Sequence, residues 1–219
     1  ANVPPIILDG GGWFASIGTE GSKGTKVFSL VGKVENTGLV EVPMGMTLKQ
    51  IVDEIGGGVK GGKAFKAVQT GGPSGGIIPA RHLQTPVDFD ELTSLGSMMG
   101  SGSIIVIDED TCAVDLARYF VDFLCDESCG KCLPCREGLK QMREILDGIV
   151  SGKGHEGDLQ ILKEIAELMK NASLCALGRT AVNPVLSTMA HFPDEYAAHI
   201  IEKRCPSLAC KALVSYFIE

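Results

Sequence analysis

The chain has 219 residues, with 20 Lys and Arg against 27 Asp and Glu, for a net charge of −7. An acidic chain without a basic stripe is a poor match for nucleic acid or an anionic membrane surface, and no stretch approaches the ~20 apolar residues that span a bilayer. Hydrophobic residues make up 44%, which excludes disorder and fits one large or two small folded domains.

Residues 1–26 hold Pro4, Pro5 and the Gly10-Gly11-Gly12 run, the pattern of a linker laid over a surface. Ala1 is not a methionine and ANVPPIILDG has neither the basic nor the apolar region of a signal peptide, so the chain reads as a piece of a longer one. The alternating run Lys26–Val34, a Glu-Asn-Thr-Gly turn and Leu39–Val42 predict a hairpin. Thr47 caps a predicted helix carrying Leu48, Ile51, Val52 and Ile55, and Gly56 stops it. Further strands are expected at 64–70 and 103–108. Two hairpin strands, one helix and two more strands point to an α+β domain of the ubiquitin-like β-grasp type over 27–110.

From residue 111 the strand signal ends. Amphipathic helices are expected at 114–124, 137–150, 156–171 and around 184–201, with Leu159, Leu162, Ile165, Ala166 and Met169 on one stripe of the third. The Ser151–Gly154 turn makes the second and third antiparallel neighbours. Residues 111–219 therefore read as an all-α helical bundle.

Two glycine motifs carry no chemistry. The run from Gly57 to Lys63 has the G-x-x-x-x-G-K spacing of a phosphate loop, but it follows a helix and Ala64 stands where Ser or Thr would bind Mg²⁺. Gly72-Pro73-Ser74-Gly75-Gly76 matches G-x-S-x-G, yet the extended Ile77-Ile78-Pro79 replaces the helix that a nucleophile elbow needs. His82, His155 and His191 have no ligand partners at useful spacing. Trp13 reads as a surface anchor, Cys125 as a packing cysteine and Asp108-Glu109-Asp110 as a solvated turn.

The cysteines carry the signal. The chain has eight, below the ~8–10% of disulfide-stapled scaffolds, and their clustering points to metal in a reducing compartment, the cytoplasm. Cys129, Cys132 and Cys135 form C-x-x-C-x-x-C, with Cys175 about forty residues on. Three thiolates in one short run and one distant thiolate suit the corners of a [4Fe–4S] cluster. Structural zinc more often spaces its ligands as two separated pairs, and three buried packing cysteines at this spacing would be a coincidence. Lys131 and Arg136 add positive charge beside a negative cluster. A second set is Cys205 and Cys210, in C-x₄-C, with His199 six residues upstream. Two thiolates and an imidazole supply three ligands of a tetrahedral zinc, and Cys112 is the best candidate for the fourth; the alternative is three buried cysteines and a surface histidine.

Glu127–Gly138, reading E-S-C-G-K-C-L-P-C-R-E-G, and Ser173–Gly178, reading S-L-C-A-L-G, resemble the NADH-oxidising flavoprotein subunit of respiratory complex I and the equivalent subunits of NAD(P)-linked hydrogenases and formate dehydrogenases. The resemblance implies a flavin domain, then an SLBB-type β-grasp domain, then a bundle whose Cys129, Cys132, Cys135 and Cys175 bind one [4Fe–4S] cluster. The opening Ala1–Ile6 resembles the exit from the flavin domain, so FMN and NAD(P)H are expected upstream of this chain. The tail Glu195–Leu213 resembles the hydrogenase type, including electron-bifurcating [FeFe] hydrogenases, in which a ferredoxin-like domain follows; the chain is expected to be a central portion. The implied function is an electron relay between FMN and partner iron–sulfur clusters, with a thioredoxin-like [2Fe–2S] subunit and a hydrogenase catalytic subunit as partners. The competing readings are a zinc-stabilised docking scaffold and the equivalent subunit of formate dehydrogenase or complex I.

Overall fold

The computed structural model describes residues 2–214; Ala1 at the start of the expected linker and residues 215–219 at the end of the expected bundle lie outside them. The chain divides into two compact units, one made of Ala1–Gly72 and Ile78–Asp108, the other of Pro73–Ile77 and Glu109–Glu219.

The first unit is built on a five-stranded sheet. Its strands are β1 (Thr25–Gly32), β2 (Gly38–Pro43), β3 (Phe65–Thr70), β4 (Ile77–Pro79) and β5 (Ser103–Asp108), in the order β2-β1-β5-β3-β4. β1 pairs antiparallel with β2 and parallel with β5, and β5 pairs antiparallel with β3. A hairpin joined in parallel to a late central strand is the β-grasp arrangement expected from the sequence. In β1 the period-2 pattern drives Phe28 and Leu30 inward. They join Val42, Leu48, Ile51, Val52, Val68, Ile78, Leu92, Ile104 and Val106 in one core.

The expected helix after Thr47 forms, but over Gln50–Ile55 it is wound as a π-helix. Thr47 Oγ1 accepts from Gln50 N–H at 3.2 Å while Gln50 Oε1 accepts from Thr47 N–H at 3.1 Å, a reciprocal capping box. Gly56 N–H reaches back five residues to Ile51 O. Its missing Cβ would lie 2.6 Å from Val34, so the wide turn lets the chain close on the sheet.

Several local features refine or correct the expectations. Within the expected linker, residues 3–15 form two short helices, α1 (Val3–Asp9) and α2 (Gly11–Ala15); Pro4 and Pro5 sit in the first turn of α1, where a missing N–H costs nothing. Beside the half-buried Trp13, the ring of Phe14 fills the space over Gly24, where a Cβ would collide with it. Asp108 is not solvated but 2% exposed at the end of β5, with Lys63 Nζ at 3.9 Å. The sequence reading missed α3 (Phe89–Ser94), capped by Asp88, whose side chain accepts from Asp90 and Glu91 N–H. The glycine run at 57–62 holds no open anion cradle, since the Glu35 carboxylate accepts from Gly61 N–H at 2.8 Å.

The second unit is helical: α4 (Ala113–Glu127), α5 (Leu133–Val150), α6 (Asp158–Ala172), α7 (Ala176–Thr180), α8 (Asn183–His191) and α9 (Pro193–Ile200). The helix expected around 184–201 is two helices, split where Pro193 begins the second. Buried Leu139, Met142, Leu146 and Ile149 line α5, facing Leu162, Ile165, Ala166 and Met169 of α6. Leu159 lies at the margin of that stripe, partly buried. Gly138 brings the two helices together, for a Cβ there would meet Met169 Sδ at 2.6 Å. The Pro73-Ser74-Gly75-Gly76 segment belongs to this unit, and its serine contributes a carbonyl: Asn183 Nδ2 donates to Ser74 O at 3.1 Å.

Candidate metal centres

Cys132 is the N-cap of α5, Leu133 and Pro134 open that helix, and Cys135 lies on its first turn. Cys129 precedes them across Gly130, whose φ of +69° is a left-handed conformation that favours glycine. Cys175 caps α7. All four line one cavity of about 100 Å³ together with Glu127, Ser128, Lys131 and Leu177.

The surroundings of the sulfurs favour a bound cation or cluster. The Leu174 backbone N–H, beside Cys175, holds the Cys132 thiol below its ordinary pKa against some desolvation, helped by backbone N–H groups at the start of α5. Cys135 is buried and raised, first by desolvation, with Ser128 working against it and the negative charges of Cys132, Cys175 and Cys129 adding to it. As thiolates around one small cavity, the four would repel one another unless positive metal lay among them.

Arg136, expected to place positive charge near the cluster, also ties the cysteine loop together. Its Nη1 donates to Gly130 O at 2.7 Å and its Nε to Glu137 at 2.8 Å, so it staples the cysteine loop. Lys131 does line the cavity. Arg179 Nε donates to Ser173 O at 3.0 Å and fixes the Cys175 loop in the same way. A Cβ at Gly178 would lie 2.7 Å from Ser173 Oγ and 3.1 Å from Cys135 Cβ, which accounts for the glycine of A-L-G. Ser173 is 1% exposed and its hydroxyl has no hydrogen-bond partner among the described residues. An orphaned buried hydroxyl and a thiol-lined cavity fit a sulfur-rich group.

The second set converges more tightly. The ligand atoms of Cys112, His199, Cys205 and Cys210 all lie within 4.8 Å of one another, and all four residues are buried. His199 Nδ1 is 2.7 Å from Glu195 O. A carbonyl only accepts, so Nδ1 carries the proton and Nε2 turns its lone pair to Cys112 Sγ at 3.3 Å and Cys210 Sγ at 3.4 Å. The two sulfurs are 3.8 Å apart. Zinc with Zn–S of about 2.3 Å and Zn–N of about 2.0 Å at tetrahedral angles requires S···S near ~3.8 Å and N···S near ~3.5 Å. The three distances among Cys112, His199 and Cys210 match those spacings, and Cys205 Sγ lies within 4.8 Å of the other ligand atoms. Cys112 also caps α4, accepting from Asp115 N–H at 3.4 Å. The hydrogen bond from Cys210 holds the Cys112 thiol down to about 4 against burial, with His199 adding to it, and the same contact with Cys112 pushes Cys210 up. Burial opposes charge on His199, but Cys112 and Glu195 outweigh it and raise its pKa.

Cys125 sits on α4, half-buried, raised by desolvation. His155 lies in the turn before α6, where its backbone N–H donates to Asp158. Ser128, Ser173, Gly178 and Arg179 were not singled out by sequence reasoning, although all but Arg179 lie inside the two motifs that were.

Comparison with known proteins finds two family regions. Residues 115–199 match the NADH-ubiquinone oxidoreductase-F iron-sulfur binding region, and residues 27–78 match the SLBB domain. Cys112, Cys205 and Cys210 fall outside the matched iron–sulfur region. The NADP-reducing hydrogenase subunit HndC of Solidesulfovibrio fructosivorans is 53% identical over 219 residues, covering 100% of this chain and 45% of the relative. The F 2 subunit of NADH-quinone oxidoreductase from Rhizobium meliloti is 44% identical over 206 residues, covering 94% of this chain and 49% of the relative. The chain thus spans about half the length of these relatives. Among solved structures, NAD⁺-reducing [NiFe]-hydrogenase in the H₂-reduced state matches with a TM-score of 0.80 and 32% identity, over 90% of this chain and 33% of that one.

Proposed function

This chain is a homologue of NADH-quinone oxidoreductase F and NADP-reducing hydrogenase subunits, carrying their SLBB and iron–sulfur regions, and from that premise we propose that it is the electron-relay portion of a hydrogenase-type NAD(P)H oxidoreductase subunit. The observation that carries the reading is the single cavity lined by Cys129, Cys132, Cys135 and Cys175. These four would hold a [4Fe–4S] cluster, which supplies one-electron storage when bound. The chain's own part is placement. Arg136 and Arg179 fix the two cysteine loops, Lys131 and the start of α5 offset negative charge, and the buried Cys135 side keeps water from one face.

Cys112, His199, Cys205 and Cys210 would hold zinc as a structural clamp, with the Glu195 carbonyl fixing the imidazole tautomer. We assign FMN and NAD(P)H binding to the part of the protein outside this chain. The expected partners are a thioredoxin-like [2Fe–2S] subunit and a hydrogenase catalytic subunit, in the cytoplasm. The higher identity to the hydrogenase subunit than to the quinone oxidoreductase subunit supports the hydrogenase type. Among the described residues no helix is long and apolar enough to cross a membrane.

The test is iron and zinc content on anaerobically purified protein, with electron paramagnetic resonance before and after dithionite. About four irons assigned to these cysteines, about one zinc and a signal appearing on reduction support the relay. Zinc alone, with no iron after anaerobic reconstitution, overturns it in favour of a scaffold.

A further inference from the structure

The most buried of the four cysteines has one serine hydroxyl at its sulfur and a second serine packed nearby across Gly178. Cys135 is 4% exposed, and Ser128 Oγ lies 3.4 Å from its Sγ. Gly130 N–H donates to the same Ser128 oxygen at 3.3 Å. With a lone pair of Ser128 Oγ already used, its O–H is free to donate to the sulfur. On the other side is Ser173. Its backbone groups are satisfied, N–H by Met169 O and C=O by Arg179 Nε. Its hydroxyl alone has no partner among the described residues, although the residue is 1% exposed. A buried hydroxyl without an acceptor costs free energy, and native interiors rarely keep one. The glycine position that separates Ser173 Oγ from Cys135 Cβ leaves no room for even a methyl group between them. The unpartnered hydroxyl therefore packs, across Gly178, beside the cysteine whose sulfur lines the cavity.

We propose that Ser128 and Ser173 are positioning residues that donate hydrogen bonds to the sulfur of Cys135 and the adjacent sulfur of the bound cluster, and so set its reduction potential. The proposal rests on the cluster reading above. Electron uptake adds negative charge to the iron–sulfur group, and that charge spreads onto its sulfurs. A hydroxyl pointed at those sulfurs stabilises the reduced form more than the oxidised form, so each raises the potential. Hydrogen bonds to charged groups are stronger than those between neutral groups, but both redox states keep part of that gain. A tenfold change in the reduced-to-oxidised ratio is therefore the expected scale per hydroxyl, about 59 mV for one electron.

The test uses the intact protein purified anaerobically, with Ser128→Ala, Ser173→Ala and Ser128→Thr. Iron per chain is measured first, then the midpoint of each cluster signal by redox titration followed by electron paramagnetic resonance. The expected result is unchanged iron, one signal whose midpoint falls about tenfold in reduced fraction for each alanine variant, and a normal midpoint in Ser128→Thr, which keeps the hydroxyl. Full iron with every midpoint unmoved overturns the proposal, as does a threonine variant that shifts as far as the alanine. Where an alanine variant loses iron, Ser128→Thr with full iron and a normal midpoint supports the hydroxyl's role, and a shifted one refutes it. Failure of the underlying reading looks different: the unsubstituted protein would itself lack iron.

Discussion

Gly178→Ala tests whether the two cysteine loops are packed to fit a common group. A Cβ there lies 2.7 Å from both Cβ and Oγ of Ser173 and 3.1 Å from Cys135 Cβ. None of these atoms is the far end of a long side chain. Ser173 is tied by Arg179 and Met169, and Cys135 is fixed on the first turn of α5. Relief must come from the backbone of one loop. Overpacking a filled interior costs roughly 1–3 kcal/mol, whereas alanine in a helix gains up to about 1 kcal/mol over glycine. The net loss is about 1 kcal/mol, a fall in Tm of about 5 °C for a unit of this size. The larger effect is local: displaced groups around a metal site typically lower its affinity about 10–100-fold. Iron retained after challenge with a chelator should therefore drop far more than Tm does. Gly138→Ala is the control. Its Cβ meets Met169 Sδ at 2.6 Å, but a thioether can rotate aside, so iron should be retained. If Gly178→Ala keeps full iron and wild-type Tm, the packing argument fails.

Removing zinc with a strong chelator, or replacing His199 with Ala, should lower the Tm of the intact protein and release about one zinc while leaving the iron in place; simultaneous loss of iron and zinc would refute two separate sites. Asp88→Asn should cost about 1 kcal/mol at neutral pH, because one amide oxygen can still cap α3 while the NH2 replaces the carboxylate oxygen that accepts from Thr19. The hydrogen bond from Thr19, first of its causes, holds the Asp88 pKa below the ordinary value, so its contribution is complete above about pH 4 and is lost as pH falls through the folded pKa. Urea unfolding of wild type and variant should therefore converge in acid; a difference that persisted at low pH would refute this. Ser74→Ala should leave Tm unchanged, whereas Asn183→Ala should lose about 1 kcal/mol with its bond to Ser74 O; the reverse order would show that the serine hydroxyl matters.

The sequence made the sheet and the bundle readable because their signals are local. Phe28 and Leu30 alternate, and Leu162, Ile165, Ala166 and Met169 recur at helical spacing, whatever lies elsewhere in the chain. The C-x-x-C-x-x-C spacing was legible for the same reason. What escaped was set by contacts distant in sequence. The π-helical winding at Gln50–Ile55 answers to Val34 and to the close approach at Gly56, which no local propensity encodes. Asp108 looks solvated beside two other acids, yet it ends a buried strand facing Lys63. Ser173 reads as an ordinary loop serine until the packing around Gly178 shows its hydroxyl sealed from water. The split at Pro193, in contrast, was written in the sequence, since proline starts helices and does not continue them.

Cys112 opens the first helix of the second unit, and Cys210 lies in its last described loop. Their sulfurs meet across a separation of 98 residues. During synthesis the helices from α4 to α9 all leave the ribosome before that fourth ligand does. A chain stopped short of Cys210 would carry a buried, incomplete ring of donors at the base of α4, with one tetrahedral corner open. If these four hold the proposed zinc, its capture would be a late event in the history of each molecule, and would distinguish a finished bundle from an unfinished one.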